Sequence, residues 1–381
     1  MRSYLGLTWD HPRGYQALRA AAAQLDPAID ALAIHWDTQT LEGFEAAPIA
    51  ELCARYDLVV LDHPHIGEAV AQRCLQPISD LFDADTLASI DRDTIGPSFS
   101  SYRFAGRQWA LPLDAATQVM AARADLLEEN LPQTWHEVVA LSERAPVTLS
   151  LAGPHAALSF QSIAVALGEP PAKLDPERFV GTETGRAVLD LMATLASRMP
   201  AIVREANPIG ILEHMARHDD VVLCPLVYGY VNYAVGSSER RAICFGNAPR
   251  AMSGGLPGST IGGTGIAISA RAEISPALVN HLRWLMSANT QVRFISAEAG
   301  QPSRRDAWQD ASVNAAWKNF YHNTAETMER GYVRPCHDGA IAFQAMASGL
   351  IREALAGRSH GAVLDALQNA YTASRTARID A

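Results

Sequence analysis

No apolar run in this sequence approaches the roughly 20 residues that a membrane-spanning helix needs. Positive charge is in deficit: 31 Lys and Arg stand against 41 Asp and Glu, a formal net charge of -10. That balance argues against a nucleic-acid partner, which requires basic faces. Only five cysteines occur, Cys53, Cys74, Cys224, Cys244 and Cys336. Their odd number and wide spacing make no disulfide framework and fit a reducing compartment. Internal repeats and low-complexity segments are missing. So are the Gly-Lys-Ser/Thr ending of a phosphate loop, the G-x-G-x-x-G spacing of a dinucleotide site and the G-x-S-x-G elbow of a hydrolase. No charged, apolar and small-residue succession precedes the first strand, Tyr4 to Thr8. The chain as written is therefore expected in the cytoplasm, and in the periplasm if it is a processed form.

What is present is ordinary for a soluble globular chain: 48% hydrophobic and 19% charged residues. A length of 381 residues exceeds what one core supports and predicts two domains. In order, the pattern predicts a strand to Thr8-Trp9, a helix from Tyr15 to Leu25, a strand over 30–36 and a helix over 48–56. Asp57 to Asp62 is a continuous apolar strand of the kind buried in a parallel sheet, and a helix follows from Glu68. This alternation predicts an α/β lobe. Leu111-Pro112-Leu113-Asp114 reads as a turn, 116–122 as extended, and Thr134 with Glu137 as a capping box opening a helix. A second α/β run follows: a strand over 146–151, helices over 156–167, 184–198 and 208–217, a strand over 220–226, and a short strand over 243–245. Residues 253–265 are Gly-rich loop, 266–269 are extended, and helices follow over 276–287, 291–297 and from about 307.

Ligands of open α/β sheets sit beyond the carboxyl ends of strands. Two polar loops fall there. The first carries Trp9, Asp10, His11 and Arg13; the second carries Asp62, His63 and His65. Arg13 can hold a carboxylate or phosphate with two hydrogen bonds, or it can simply pair with Asp10 in a turn. Placed just before a helix start, it suits an anion, and Arg13→Ala would then weaken such a ligand without changing the melting of the empty protein. The two histidines suit zinc, but no third ligand lies near them in sequence; no metal and no cofactor are expected. Trp9, Tyr228 and Tyr230, at strand ends, are candidate walls for a sugar face or a cation. Trp109 reads as packing, Tyr233 stays a candidate, and Trp36, Trp135, Trp284, Trp308 and Trp317 read as core. The Gly-rich run reads as a flexible approach to a hinge, with Ser259 and Thr260 offering hydroxyls. Cys336-His337-Asp338 resembles a nucleophile beside a base, but adjacent residues rarely face each other as a triad must.

Several segments together resemble the extracellular solute-binding proteins of ABC importers, the maltose- and oligosaccharide-binding type. They are the 56–81 stretch with Leu75-Gln76-Pro77-Ile78, then Gly106, Trp109, Leu111-Pro112, Arg123-Ala124-Asp125-Leu126, Pro132 and Thr134-Trp135. Gly262-Gly263-Thr264-Gly265-Ile266-Ala267-Ile268-Ser269, Ser287-Ala288-Asn289-Thr290-Gln291 and Gly300-Gln301-Pro302 complete the set. The resemblance implies a two-lobed α/β fold of the periplasmic-binding-protein type II, with hinge crossings that let the lobes close on a ligand. The expected lobes are 1–113 with 266–310, and 114–265, with 311–381 packed mainly on the second. The expected function is reversible, non-catalytic capture of a sugar or small organic anion by a monomer serving an ABC permease. Trp9, Asp10, His11, Arg13, Asp62, His63, His65, Asp114, Tyr228, Tyr230 and Ser259 are the expected contacts. A cytosolic carrier or sensor on the same fold is one alternative, acid–base catalysis in the cleft a second, and a protein-interaction module a third.

Overall fold

Leu58-Val59-Val60-Leu61 has no polar side chain to offer water. In the computed structural model, which describes residues 2–127 and 130–376, it is an interior strand with all four residues buried. The chain around it divides into two units. Unit 1 holds the residues up to 116, 262–316 and 336–338; unit 2 holds 117–261, 317–335 and the chain from 339 onward.

Unit 1 is built on a mixed sheet. Its strands are β1 (Arg2–Trp9), β2 (Leu32–Gln39), β3 (Leu58–Leu61), β4 (Leu75–Gln76), β7 (Ala110–Asp114) and, after the strands of unit 2, β11 (Thr264–Ser269). A two-stranded hairpin, β5 (Arg103–Phe104) with β6 (Arg107–Gln108), lies apart from it. The order is β2-β1-β3-β11-β4, with β7 also on β11. β1 runs parallel to β2 and β3, whereas β11 runs antiparallel to β3, β4 and β7. The expected parallel sheet is thus corrected: a late segment of the chain enters it against the direction of its neighbours. As a consequence β1, β3 and β7 all end at one edge, where β11 begins.

The division into units falls at 116/117 and 261/262 rather than 113/114 and 265/266. β11 pairs along its length inside unit 1, with Gly265 opposite Leu61 and Thr264 opposite Asp114. Residues 311–316 also go with unit 1. They form α13 (Ala311–Ala316) beside α12 (Arg305–Gln309), and Asn314 Nδ2 donates to the Trp308 carbonyl at 2.8 Å.

Three local expectations are corrected. Leu111 to Asp114 is strand, not turn: Pro112 faces Gly265 beside a register irregularity, where a residue without an N–H is tolerated on an outer strand. α1 (Pro12–Ala23) starts at Pro12, not Tyr15, because His11 caps it, its Nδ1 accepting from the Arg13 N–H at 3.2 Å, and proline suits a first helical position. The helix after β3 starts at His65 rather than Glu68. Preceding and following elements in this unit are α2 (Pro27–Asp30), α3 (Leu41–Ala46), α4 (Ile49–Arg55), that helix α5 (His65–Ala71), α6 (Ala84–Asp93) and α11 (Pro276–Leu285). The expected helix over 291–297 is a π-helical segment, Thr290–Ile295.

α11 carries a buried histidine, His281. Burial pushes its imidazole down to about 4, against the attraction of Asp30. The unfolded chain binds that proton near pH 6.5, the folded protein only near pH 4. Stability from this group is therefore full above pH 6.5 and is lost as pH falls towards 4, with a slope of up to about 1.4 kcal/mol per pH unit. Acid titration of melting temperature should show this loss, and His281→Gln should flatten it between pH 6.5 and 4; an unchanged slope rules the assignment out.

Unit 2 centres on β8 (Gln118–Ala122), paired antiparallel with β9 (Leu223–Tyr228) and β10 (Cys244–Gly246). The expected strand over 146–151 is reduced to a single bridge, Val147 to Leu223. α7 (Trp135–Leu141) opens with the capping box read from sequence: Thr134 N–H donates to Glu137 Oε2 at 2.9 Å, and Glu137 N–H to Thr134 Oγ1 at 3.3 Å. α8 (His155–Ala166) has no Asp, Glu, Lys or Arg and is buried almost all round, as a helix without a polar face must be. Its Phe160 stacks on Phe179, which meets Phe343 of α15 (Ala340–Leu355) edge-on. α9 (Thr182–Arg198), α10 (Pro208–Arg217), α14 (Phe320–Glu329) and α16 (His360–Thr376) complete the unit.

Candidate functional site

The edge of unit 1 where β1, β3 and β7 end collects every candidate that sequence placed in that unit. Trp9 closes β1 and is buried. Its ring lies 5.2 Å from that of Phe44 and so close to α1 that a Cβ on Gly14 would come within 2.5 Å of it. Glycine at that position is what lets the indole lie against the helix. Trp9 therefore supports the edge from beneath, and Asp10, the next residue, is exposed.

Arg13 lies in the first turn of α1 and is buried. Its Nε donates to Asp114 Oδ2 at 3.0 Å and its Nη2 donates to Asp114 Oδ1. Both side chains are 4% exposed. The guanidinium also stands 5.8 Å from the centre of the Trp9 ring. Two premises of the sequence reading are thereby corrected. Arg13 does not precede the helix as a surface residue, and its carboxylate partner here is Asp114, 101 positions away, rather than Asp10. The bidentate pairing follows from the matching geometry of guanidinium and carboxylate, and two buried opposite charges require each other.

Asp62 follows β3 and is partly exposed. Its Oδ1 accepts from the His63 backbone N–H at 2.8 Å and faces His63 Nδ1 at 3.0 Å. His63 is fully buried with its ring edge-on to Tyr102 at 6.4 Å. His65 is buried at the start of α5, and His11 is buried as the cap of α1. Sequence reasoning missed Gln301, whose backbone N–H donates to Asp114 Oδ2 at 3.2 Å and whose Nε2 donates to the Ala115 carbonyl at 2.9 Å. With Thr264 it lines a small recess over Arg13 and Asp114. The Gly300-Gln301-Pro302 turn was the available signal, but nothing in sequence couples it to Asp114.

Unit 2 has its own polar edge, where β9 ends and β8 begins. Tyr228 is partly buried, its hydroxyl 3.2 Å from Thr260 Oγ1 and its ring 6.0 Å from that of His155. Tyr230 is buried. Ser259 is also buried, its Oγ donating to the Gln118 carbonyl at 2.6 Å. Gln118 Oε1 accepts from Ser162 Oγ at 2.6 Å and Thr260 Oγ1 at 3.1 Å. The Gly-rich stretch is thus not a loose approach at this point. Gly258 lies so tightly on α8 that a Cβ there would sit 2.2 Å from the Ala166 nitrogen. Gln118 and Ser162 were not singled out in sequence, since single polar residues in apolar runs carry no periodic signal.

Among the described residues, no group of three or more His, Cys, Asp and Glu side chains is placed to hold a metal ion, and no helix is long and apolar enough to cross a membrane. Burial raises the Cys336 thiol, which disfavours the thiolate a nucleophile needs. What the unit 1 edge offers chemically is carboxylate acceptors at its surface over a neutralised, buried ion pair.

A family model described as bacterial extracellular solute-binding protein matches residues 44–321. Comparison with curated proteins gave no match. Among solved structures, an ABC transporter solute-binding protein from Agrobacterium radiobacter in complex with ribitol is 21% identical, with 97% of this chain and 98% of that chain covered and a TM-score of 0.78. The maltose-bound MalE3 of T. maritima is 15% identical, with 97% and 98% covered and a TM-score of 0.77. An ABC transporter solute-binding protein from Agrobacterium vitis with bound D-mannitol is 15% identical, with 97% of each chain covered and a TM-score of 0.72. At these identities the likeness establishes a shared fold.

Proposed function

Because the chain belongs to the bacterial extracellular solute-binding proteins, we propose that it captures a small neutral polyhydroxylated solute, a sugar or polyol, and delivers it to an ABC permease. The family is one of solute-binding proteins rather than of enzymes. The observation that carries the choice of ligand is the charge balance at the unit 1 edge. Arg13, the cation that an anionic ligand would need, is occupied by Asp114, and Asp10 and Asp62 follow β1 and β3 at the same edge. A carboxylate at that edge repels an acid or phosphate but accepts hydrogen bonds from hydroxyls. The ribitol, maltose and mannitol named for the neighbouring structures support the same class. Tyr228, at the polar edge of unit 2, is the candidate there for packing on sugar C–H faces.

Calorimetric titration with ribitol, D-mannitol, maltose, succinate and phosphate tests this. A neutral member of the set should bind and be recovered unchanged. Asp10→Ala should weaken it by about 10- to 100-fold, the value of a charge-assisted hydrogen bond, while the empty protein melts within about 0.5 kcal/mol of the parent, as for other surface substitutions. Binding of succinate or phosphate alone would overturn the proposal. As the family is extracellular, we place the working, processed form outside the cytoplasmic membrane; recovery of the native protein only from the cytosolic fraction of its host would refute that placement.

A further inference from the structure

Unit 1 holds a second concavity at the opposite end of α1. Arg13 stands in the first turn of that helix and Gln24 just past its end, a separation of about 16 Å at 1.5 Å per residue. The recess there has a volume of about 560 Å³, and its polar and aromatic lining comes from Gln24, Asp30 of α2, and Asn280, His281 and Trp284 of α11. It lies near the end of the sheet where β1 and β2 begin, away from the strand ends described above. Its size falls in the range of small-ligand sites.

Two features set it apart from an ordinary surface hollow. His281 is 7% exposed and lines the recess, so its imidazole is held in the wall by packing. The second feature is Trp284, which is partly buried and faces the recess. Its ring lies 5.6 Å from that of His281, tilted 30°, and 5.4 Å from that of Phe294, tilted 55°. An indole fixed in this way costs little entropy to present to a ligand.

We propose that this recess is a second binding site of the protein, for a neutral hydroxylated ring such as a monosaccharide or cyclic polyol. The Trp284 ring supplies a face for the ligand's C–H groups. Gln24 and Asn280 each supply an amide that donates and accepts, and the Asp30 carboxylate accepts from hydroxyls. His281 is uncharged at neutral pH, since burial holds its pKa near 4, so one ring nitrogen accepts while the other donates. Asp30 is the charged group in the lining, which disfavours anions. The site stands whether or not the strand-edge site takes a sugar.

The test uses the full chain labelled with 5-fluorotryptophan. The sequence has seven tryptophans, and Trp284→Phe assigns the Trp284 fluorine resonance. Titration with D-glucose and with myo-inositol should move that resonance saturably at about millimolar concentration, the range of a few weak contacts. Asn280→Ala and His281→Ala should each raise the half-saturation point by about tenfold, the loss of one hydrogen bond. Asn280 is exposed, so its variant keeps the test decisive if His281→Ala fails to fold. Trp9→Phe assigns the resonance of the indole buried under the strand edge, so a change there in the same spectra separates failure at one site from failure at the other. The proposal is overturned if the Trp284 resonance stays fixed in both titrations. It is equally overturned if the resonance moves alike in parent and Asn280→Ala, or answers to tetramethylammonium instead of the hydroxylated probes.

Discussion

Arg13→Ala is expected to lower the melting temperature of the empty protein by roughly 6–20 °C. Arg13 and Asp114 are each 4% exposed at the side chain and joined by two hydrogen bonds. Removing one member leaves the other charge buried without its principal counter-charge, which costs about 3–5 kcal/mol. For a unit of this size each kcal/mol is worth about 2–4 °C. Pure burial of apolar surface is not what is lost, so replacing both charges should behave differently. Arg13→Met with Asp114→Leu should recover most of the fall, because matched apolar groups avoid the desolvation cost of the pair. Calorimetry of the two variants, following the transition of unit 1, checks this. A single variant that melts within about 1 °C of the parent would mean that the pair contributes no more than an exposed one. The sequence reading put Arg13 on the surface and so predicted no change; burial reverses that expectation.

A comparable effect is expected in unit 2 from a single methyl group. The Cβ of Gly258→Ala would lie 2.2 Å from the Ala166 nitrogen and 2.3 Å from the Ser162 carbonyl oxygen. Both are backbone atoms of α8, held by the helix, so the loop must move instead. Overpacking of this kind costs about 1–3 kcal/mol, and more where neighbours are rigid. The displaced loop also carries Thr260, whose N–H donates to Ser162 Oγ at 2.8 Å, and Ser259, whose hydroxyl donates to Gln118. Loss of those bonds leaves buried polar groups unsatisfied and adds about 1–3 kcal/mol each. A fall of at least several degrees is therefore expected. Gly349→Ala is the matched control. Gly349 lies within α15 with nothing inside 4 Å of the new methyl, and alanine there should be stabilising by about 0.5–1 kcal/mol. Equal melting of the two variants would show that the contact at Gly258 relaxes freely.

Much of the architecture was legible because it is written in local patterns. The apolar run at 58–61, the capping box at Thr134 and Glu137, the charge-free α8 and the helix over 208–217 each specify their own conformation through side-chain periodicity or a short-range hydrogen bond. The α/β alternation follows from their order, and with it the rule that polar loops after β1 and β3 share an edge. Those are properties of neighbours in sequence. Strand direction was less accessible: β11 enters the unit 1 sheet antiparallel, some 200 residues after β3, and no local pattern records which strand a distant segment will meet.

The same limit governs the candidate site. Sequence proximity offered Asp10 as the partner of Arg13. Folding brings Asp114 to it from the end of β7, and that one contact neutralises the guanidinium. Likewise Ser259 reads as an available hydroxyl until Gly258 presses its loop onto α8 and Gln118 accepts its proton. The sequence by itself determined which residue types gather at each strand end. The tertiary structure alone decided which of them face water and which neutralise one another, because burial and ion pairing depend on atoms close in space and distant along the chain.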